Sequence, residues 1–313
     1  MYRELENTGC HVFARFEDKK GIVIRIISSK ESKSRNLLAA VMALATIASV
    51  YYSGIGLSEV STMLGKSGLQ WKPEGYLIGL LVPLLIHEAG HWLAMAKYGV
   101  PRSLPYLLPA PPLQLGFLGT FGAVINLRWL PPSSEALSVM AIAGPLAGFL
   151  AAIPLALLGL QDSVVPVAEL PPGTREINVV PVIMAVFLSM IDVGEGQAVL
   201  ASPMTYATYV VFIVTFLNLL PVAMLDGGHL IRSVVSERTH SIISQATVLL
   251  LFMASFIVPL FFMFAILALF MLIITRGRHP GTSLGIERVT WKVVASVVTY
   301  FLLLILTIPI PVV

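Results

Sequence analysis

Leu84-Leu85-Ile86-His87-Glu88-Ala89-Gly90-His91-Trp92 stands inside a mainly apolar run from Tyr76 to Ala96. A run of that length suits a helix that crosses a bilayer, which needs about 20 apolar residues. On such a helix His87 and His91 are four residues apart, share one face and can converge on one ion. Glu88 projects from the neighbouring face, within reach of a water molecule at that ion. Ionisable side chains inside a span are costly, so their presence here points to chemistry rather than to packing.

The rest of the chain agrees with a membrane setting. Of 313 residues, 57% are hydrophobic and only 12% are charged, and the mean hydropathy is +0.87. Soluble domains carry about 25% charged residues, so this chain has too little polar surface for a water-soluble globule. Composition therefore speaks against a cytosolic enzyme, a disordered scaffold or a nucleic-acid binder. Cys10 is the single cysteine and cannot form an internal disulfide. The net charge of +3 comes from basic residues that cluster beside apolar runs, the pattern that sets membrane topology.

Candidate spans are Asn36–Gly56, Tyr76–Ala96, Ala136–Leu160, Pro203–Leu225, Ser241–Phe256, Pro259–Thr275 and Lys292–Thr307. The stretch from Ser241 to Thr275 would make a helix of roughly 52 Å, too long for one crossing, and is divided near Pro259. Asn178–Ile191 is too short to cross and reads as a re-entrant or interfacial piece. Lys30, Lys33 and Arg35 precede the first span, which predicts a cytoplasmic N-terminus. Lys97, Arg102, Arg128, Arg232, Arg238, Arg276, Arg278 and Lys292 then fall on the same side. Polar residues fill the first 35 positions, so no signal peptide is expected, and two short runs, Cys10 to Phe16 and Gly21 to Ile27, read as a β-hairpin. The expected fold class is an all-α polytopic membrane protein of about seven helices, with a small N-terminal β-hairpin arm and a membrane-associated β-like loop. Residues 1–35 form the arm and 36–313 the transmembrane domain, with a catalytic core at 76–238.

That loop lies within Gly99–Pro132, where Pro101, Pro105, Pro109, Pro111, Pro112, Pro131 and Pro132 exclude a regular helix. Its centre, Gly119-Thr120-Phe121-Gly122-Ala123-Val124-Ile125, is β-compatible, and glycine there allows close backbone approach. Irregular backbone at membrane depth is tolerated where it is buried in protein or lines a water-filled cavity.

Two histidines leave a catalytic zinc site one protein ligand short. Of the four aspartates, Asp18 lies in the arm, Asp162 in an outside loop and Asp192 beyond the short apolar segment. Asp226 ends the fourth span, in Asn218-Leu219-Leu220-Pro221-Val222-Ala223-Met224-Leu225-Asp226-Gly227-Gly228-His229. Pro221 and the paired glycines loosen that helix end, so the carboxylate can turn inward. His229 is the other candidate ligand, three residues further on and nearer to water. Asn218, about two turns before Asp226, should face the same way, where its amide serves either as an oxyanion donor or as interhelical glue. His11, His240 and His279 are expected to be solvated or interfacial, and Trp71, Trp129 and Trp291 to anchor at the membrane surface.

His87-Glu88-x-x-His91 together with Asn218-x-x-Pro221-x-x-x-Leu225-Asp226-Gly227 resembles the site-2 protease family of intramembrane zinc metalloproteases. The likeness covers about Tyr76 to Arg238. Gly119-Thr120-Phe121-Gly122, Ala143-Gly144-Pro145-Leu146 and Arg278-His279-Pro280 resemble the branch that includes plastid EGY-type members. The resemblance implies one Zn2+ per chain held by His87, His91 and Asp226, Glu88 as general base, and Asn218 assisting the oxyanion. It also implies that Gly119, Thr120, Phe121, Gly122, Ala123, Val124 and Ile125 pair with an unwound substrate. Many relatives carry Asn where Gly148 stands, so a polar role there is lost and Gly144-x-x-x-Gly148 suits close helix packing instead. No stretch is long enough for the PDZ domain that some bacterial members insert.

The expected function is an intramembrane zinc endopeptidase that cuts within or near transmembrane segments of membrane proteins. Its partners are then a transmembrane protein substrate and the lipid bilayer, with no nucleic acid, in the plasma membrane. The alternative is a transporter or a metal or proton channel that uses His87, His91 and Asp226 as an ion path. An ion path needs neither Glu88 beside His87 nor an asparagine before the aspartate.

Overall fold

The computed structural model describes residues 10–17, 21–28, 36–125, 130–170, 174–283 and 289–312. Lys30, Lys33, Arg35, Arg128 and Trp129, which enter the sidedness and anchoring expectations, lie outside these residues, as does the turn of the expected hairpin. Strands β1 (Cys10–Glu17) and β2 (Gly21–Ser28) run antiparallel, with Cys10 opposite Ser28.

Among the described residues three helices are long and apolar enough to cross a membrane: α1 (Asn36–Met63), α2 (Pro73–Lys97) and α3 (Ser134–Gly159). Helix α2 starts with Pro73, whose missing N–H costs nothing at that position, and Glu74 and Lys97 complement its dipole. Between α2 and α3, strand β3 (Tyr106–Pro109) pairs antiparallel with β4 (Thr120–Val124). The Ser133 hydroxyl accepts from the Ala136 N–H and caps α3.

Beyond α3 come β5 (Val164–Pro166), β6 (Val179–Pro181), α4 (Val182–Leu188) and β7 (Gln197–Val199). Helix α5 (Pro203–Asn218) returns through the core. It is followed by α6 (Asp226–Val234), α7 (Glu237–Ala254), α8 (Leu260–Ile274), α9 (Trp291–Thr307) and β8 (Pro309–Pro311). Strand β5 pairs with β7, and β6 pairs with β8. Helix α4, with seven residues, is roughly 10 Å long and by itself too short to cross a bilayer.

Helices α2, α3 and α5 form the centre, burying Tyr76, Leu80, Phe149 and Phe212, and the last two rings lie 5.5 Å apart. On α8, by contrast, Phe262, Met263, Ile266, Phe270 and Ile273 are exposed. So broad an apolar face suits hydrocarbon as its solvent. The chain is an all-α, multi-pass membrane protein.

Several expectations are corrected. Helix α1 runs on to Met63 instead of stopping at Gly56, because a helix can continue past the bilayer where hydropathy falls. Pro203–Leu225 is not one span: α5 ends at Asn218, Leu219–Leu225 is a loop, and a new helix begins at Asp226. Pro221 explains the break, since it can neither donate to the helix ladder nor leave room for it. Trp71 is no interface anchor; it is buried at the foot of α2, with Lys66 Nζ 5.7 Å over its ring.

Candidate metal centre

Helix α2 presents His87 and His91 one turn apart on the face that meets α3, and both rings have room because α3 carries glycine opposite them. A Cβ on Gly144 would lie 2.1 Å from His91 Nε2, and one on Gly148 would lie 2.9 Å from His87 Cβ. A Cβ on Gly90 would in turn lie 2.4 Å from the Ala143 carbonyl oxygen. The Gly144-x-x-x-Gly148 pattern therefore does bring the helices together, and it also houses the two imidazoles.

The third group arrives from a separate element. Asp226 is the first residue of α6, whose start is pressed against the preceding loop: a Cβ on Gly227 would lie 2.0 Å from the Leu219 carbonyl oxygen. The loop is fixed in turn by Ser244 of α7, whose hydroxyl donates to the Pro221 carbonyl and accepts from the Ala223 N–H. Asp226 Oδ2 lies 3.4 Å from His87 Nε2, Oδ1 lies 3.4 Å from His91 Nε2, and the two Nε2 atoms are 3.0 Å apart.

These atoms fit a zinc ion. Ligands about 2.0–2.1 Å from a tetrahedral ion stand about 3.3 Å from one another, close to the separations found. His91 Nδ1 is 2.7 Å from the Met140 carbonyl oxygen. The ring must donate there, which leaves its Nε2 lone pair facing the other two ligands, the usual arrangement of a metal-bound imidazole. His87, His91 and Asp226 are the one group among the described residues whose ligand atoms all lie within 4.8 Å of each other. Two carboxylate oxygens and two lone-pair nitrogens gathered in a mostly buried place would repel without a cation between them. The residues suit one Zn2+ per chain.

Glu88 is buried beside His87, with His91 and Asp226 both acting on its charge. Asn218 is the last residue of α5 and half-buried; the loop after it breaks the helical register with Asp226, so the expectation that both lie on one helix face does not hold. Gly119–Ile125 contributes β4, which packs against α1 and α2. The Tyr76 hydroxyl of α2 donates to the Leu118 carbonyl. Gly122, with φ +96°, donates its N–H to Thr120 Oγ1. Among the described residues strand β4 has one partner strand, β3.

The profile of Peptidase family M50 matches residues 75–263, more than half of the chain. The chain belongs to Peptidase family M50. Among curated proteins, this M50 chain is 27% identical over 218 residues to the probable zinc metalloprotease EGY2, chloroplastic, of Arabidopsis thaliana, covering 66% of this chain and 36% of that protein. It is 27% identical over 243 residues to the probable zinc metalloprotease EGY1, chloroplastic, of Oryza sativa subsp. japonica, covering 74% and 40%. With EGY1 of Arabidopsis thaliana it shares 30% over 164 residues, covering 49% and 28%. The chain thus spans well under half the length of the curated relatives it matches. No solved structure matches.

All eight curated relatives are named as chloroplastic, which overturns the plasma-membrane expectation; what stands is integration in a membrane. Two histidines are also corrected: His240 is 0% exposed and His279 is 1% exposed, so neither is solvated. Sequence reasoning missed Gly144 and Met140 as neighbours of the centre, and His279 as a neighbour of His229 on α6. Gly144 had a signal in its small-x-x-x-small pattern and His279 one in the Arg278-His279-Pro280 motif, while Met140 had none.

Proposed function

We propose that the chain is an intramembrane zinc endopeptidase that hydrolyses peptide bonds within or near transmembrane segments of membrane proteins. The observation that carries this reading is the convergence of His87, His91 and Asp226 from two separate elements, with Glu88 in the same helical turn as His87. A zinc ion held there would supply Lewis-acid polarisation of water and of the scissile carbonyl.

Glu88 takes the proton from the attacking water as its oxygen bonds to the carbonyl carbon. It then hands that proton to the leaving amide nitrogen as the C–N bond breaks. The Asn218 amide donates a hydrogen bond to the oxygen that gains charge in the transition state. A helical substrate shields its own carbonyls, so it must be extended locally, and its freed backbone groups need partners because lipid offers none. Gly119–Ile125 offers to such a segment the side of β4 that has no partner strand among the described residues, in the manner of β-augmentation.

The same reading takes α1, α2, α3, α5, α7, α8 and α9 as crossings, residues 1–35 as an arm and 76–238 as the catalytic core. The apolar character of Pro203–Asn218, Leu260–Ile274 and Trp291–Thr307 supports it.

The test compares the wild type with Glu88→Gln on a membrane-spanning test substrate in bilayers. Activity should fall by about 10²–10⁴ in Glu88→Gln, with zinc content unchanged. Undiminished cleavage by that variant would falsify the assignment of the base. Val124→Pro should stop cleavage and keep zinc; proteolysis at the wild-type rate would mean that the substrate is held elsewhere.

A further inference from the structure

His279 sits in the segment after α8, far from the metal ligands in sequence, yet it is buried against α6. The Gly281 N–H donates to His279 Nδ1 at 2.9 Å, and His279 Nε2 lies 2.8 Å from His229 Nδ1. The ring is wedged between two others, with centroids 4.7 Å from His229 and 5.2 Å from His240. Burial first, then His229, His240 and Arg232, push its pKa down to about 2, so the ring is neutral. A neutral imidazole whose Nδ1 accepts must carry its hydrogen on Nε2. His279 therefore donates to His229, and His229 stands one turn after Asp226 on the same short helix.

Two further contacts make the segment a strap. A Cβ on Gly281, at φ +73°, would lie 2.7 Å from Arg232 Nη2, so the guanidinium of α6 rests on the strap's backbone. At the other end, the Ser283 N–H donates to the Pro131 carbonyl at 3.0 Å and its hydroxyl to the Pro132 carbonyl at 3.3 Å, just before α3. Residues 279–283 thus join the start of α3 to α6. The first belongs to the half of the centre that houses the histidine pair, and the second carries the aspartate. Helix α6 has nine residues and no side-chain cap at its N-terminus, so it depends on such outside contacts for its position.

We propose that His279 is a positioning residue for the metal centre. By holding His229 while Ser283 holds the entry to α3, it sets Asp226 against His87 and His91. The proposal rests on the zinc reading of the site, and its test is built so that the two can fail separately.

The experiment uses the full chain in detergent with His279→Asn and His279→Gln. Asparagine keeps an acceptor where Nδ1 stands but ends short of His229, whereas glutamine reaches His229 with a donor. His279→Asn should lower zinc affinity, measured against a chelator, by about 10–100-fold, and should change the d–d absorption of the cobalt-substituted protein. His279→Gln should restore both. In an Asp226→Asn background, His279→Asn should cost nothing more, because the strap acts through Asp226. Wild-type affinity in His279→Asn, failure of glutamine to rescue, or an equal loss in the Asp226→Asn background would each overturn the proposal.

Hydrogen exchange on the metal-free chain supplies a readout without zinc. The amides of Asp226–Val234 should exchange faster in His279→Asn and at the wild-type rate in His279→Gln. That pattern in a wild-type chain that takes up no zinc would leave the strap standing and remove the metal reading; unchanged exchange in His279→Asn would remove the strap.

Discussion

The two histidines and the aspartate of the centre are held in different ways. His87 and His91 ride on α2, a helix locked by glycine contacts along its length against α3 and packed again on α5. Asp226 begins a nine-residue helix steadied by a loop, a serine and the 279–283 strap. One side is the core of the bundle and can shift only if the bundle does. The other is a small part set in place from outside. A centre built this way keeps two ligands fixed and leaves its geometry to be decided by the third.

The comparison can be broken most severely at the ligands themselves. His91→Ala and Asp226→Ala should each weaken zinc binding by more than the roughly 100-fold that changes around a ligand cost, read by chelator competition. Zinc retained in full by Asp226→Ala would mean that the second side contributes nothing.

Glycines divide the two sides next. Gly144→Ala places a Cβ 2.1 Å from His91 Nε2 and should cost about 1–3 kcal/mol of stability along with zinc affinity, seen together in thermal melting and metal titration. Gly227→Ala would press a Cβ to 2.0 Å from the Leu219 carbonyl oxygen, but the nine-residue α6 can shift as a unit, so it should lose zinc affinity with a smaller drop in melting temperature. Equal drops in the two variants would erase the distinction between core and strapped helix.

A milder cut is Ser244→Ala, which removes the hydroxyl that bonds both the Pro221 carbonyl and the Ala223 N–H. Stability should fall by about 0.5–1.5 kcal/mol in denaturant melts. The smallest effect belongs to the bundle side. Lys292 Nζ lies 2.6 Å from Glu135 Oε1, which also accepts from the Tyr98 hydroxyl at the end of α2. The pair is partly exposed, so Lys292→Met should change stability by at most about 1 kcal/mol and leave zinc binding untouched.

How much of this could be read from residues alone follows the same division. The His87–His91 pair was legible because a four-residue spacing on a helix is local geometry, and its depth in an apolar run was legible from hydropathy. Asp226 was legible by elimination among few aspartates, but its place at the head of a new helix was not. Leu217 to Leu225 looks like a loosened span, and only the fold shows that Pro221 sits in a complete break. Met140, whose carbonyl orients His91, gives no sign in the sequence, since any residue supplies a carbonyl. His279 lies 50 residues from His229. Nothing local ties the two, and two buried neutral rings read in sequence like two solvated ones. The extension of α1 to Met63 was missed for a simpler reason: hydropathy measures the bilayer, and the helix does not end with it.

The glycines behind His87 and His91 carry one more consequence, for anyone who would make this protein hardier. Replacing helical glycine by alanine is a standard route to a firmer helix, worth about 1 kcal/mol at each site. At Gly90, Gly144 and Gly148 that route is closed, because the space a methyl group would fill is already taken by a carbonyl or an imidazole. The bundle forgoes about 3 kcal/mol of intrinsic helix preference across the three positions. Directed evolution for heat tolerance should therefore leave these glycines alone and accumulate its changes on the lipid-facing helices instead.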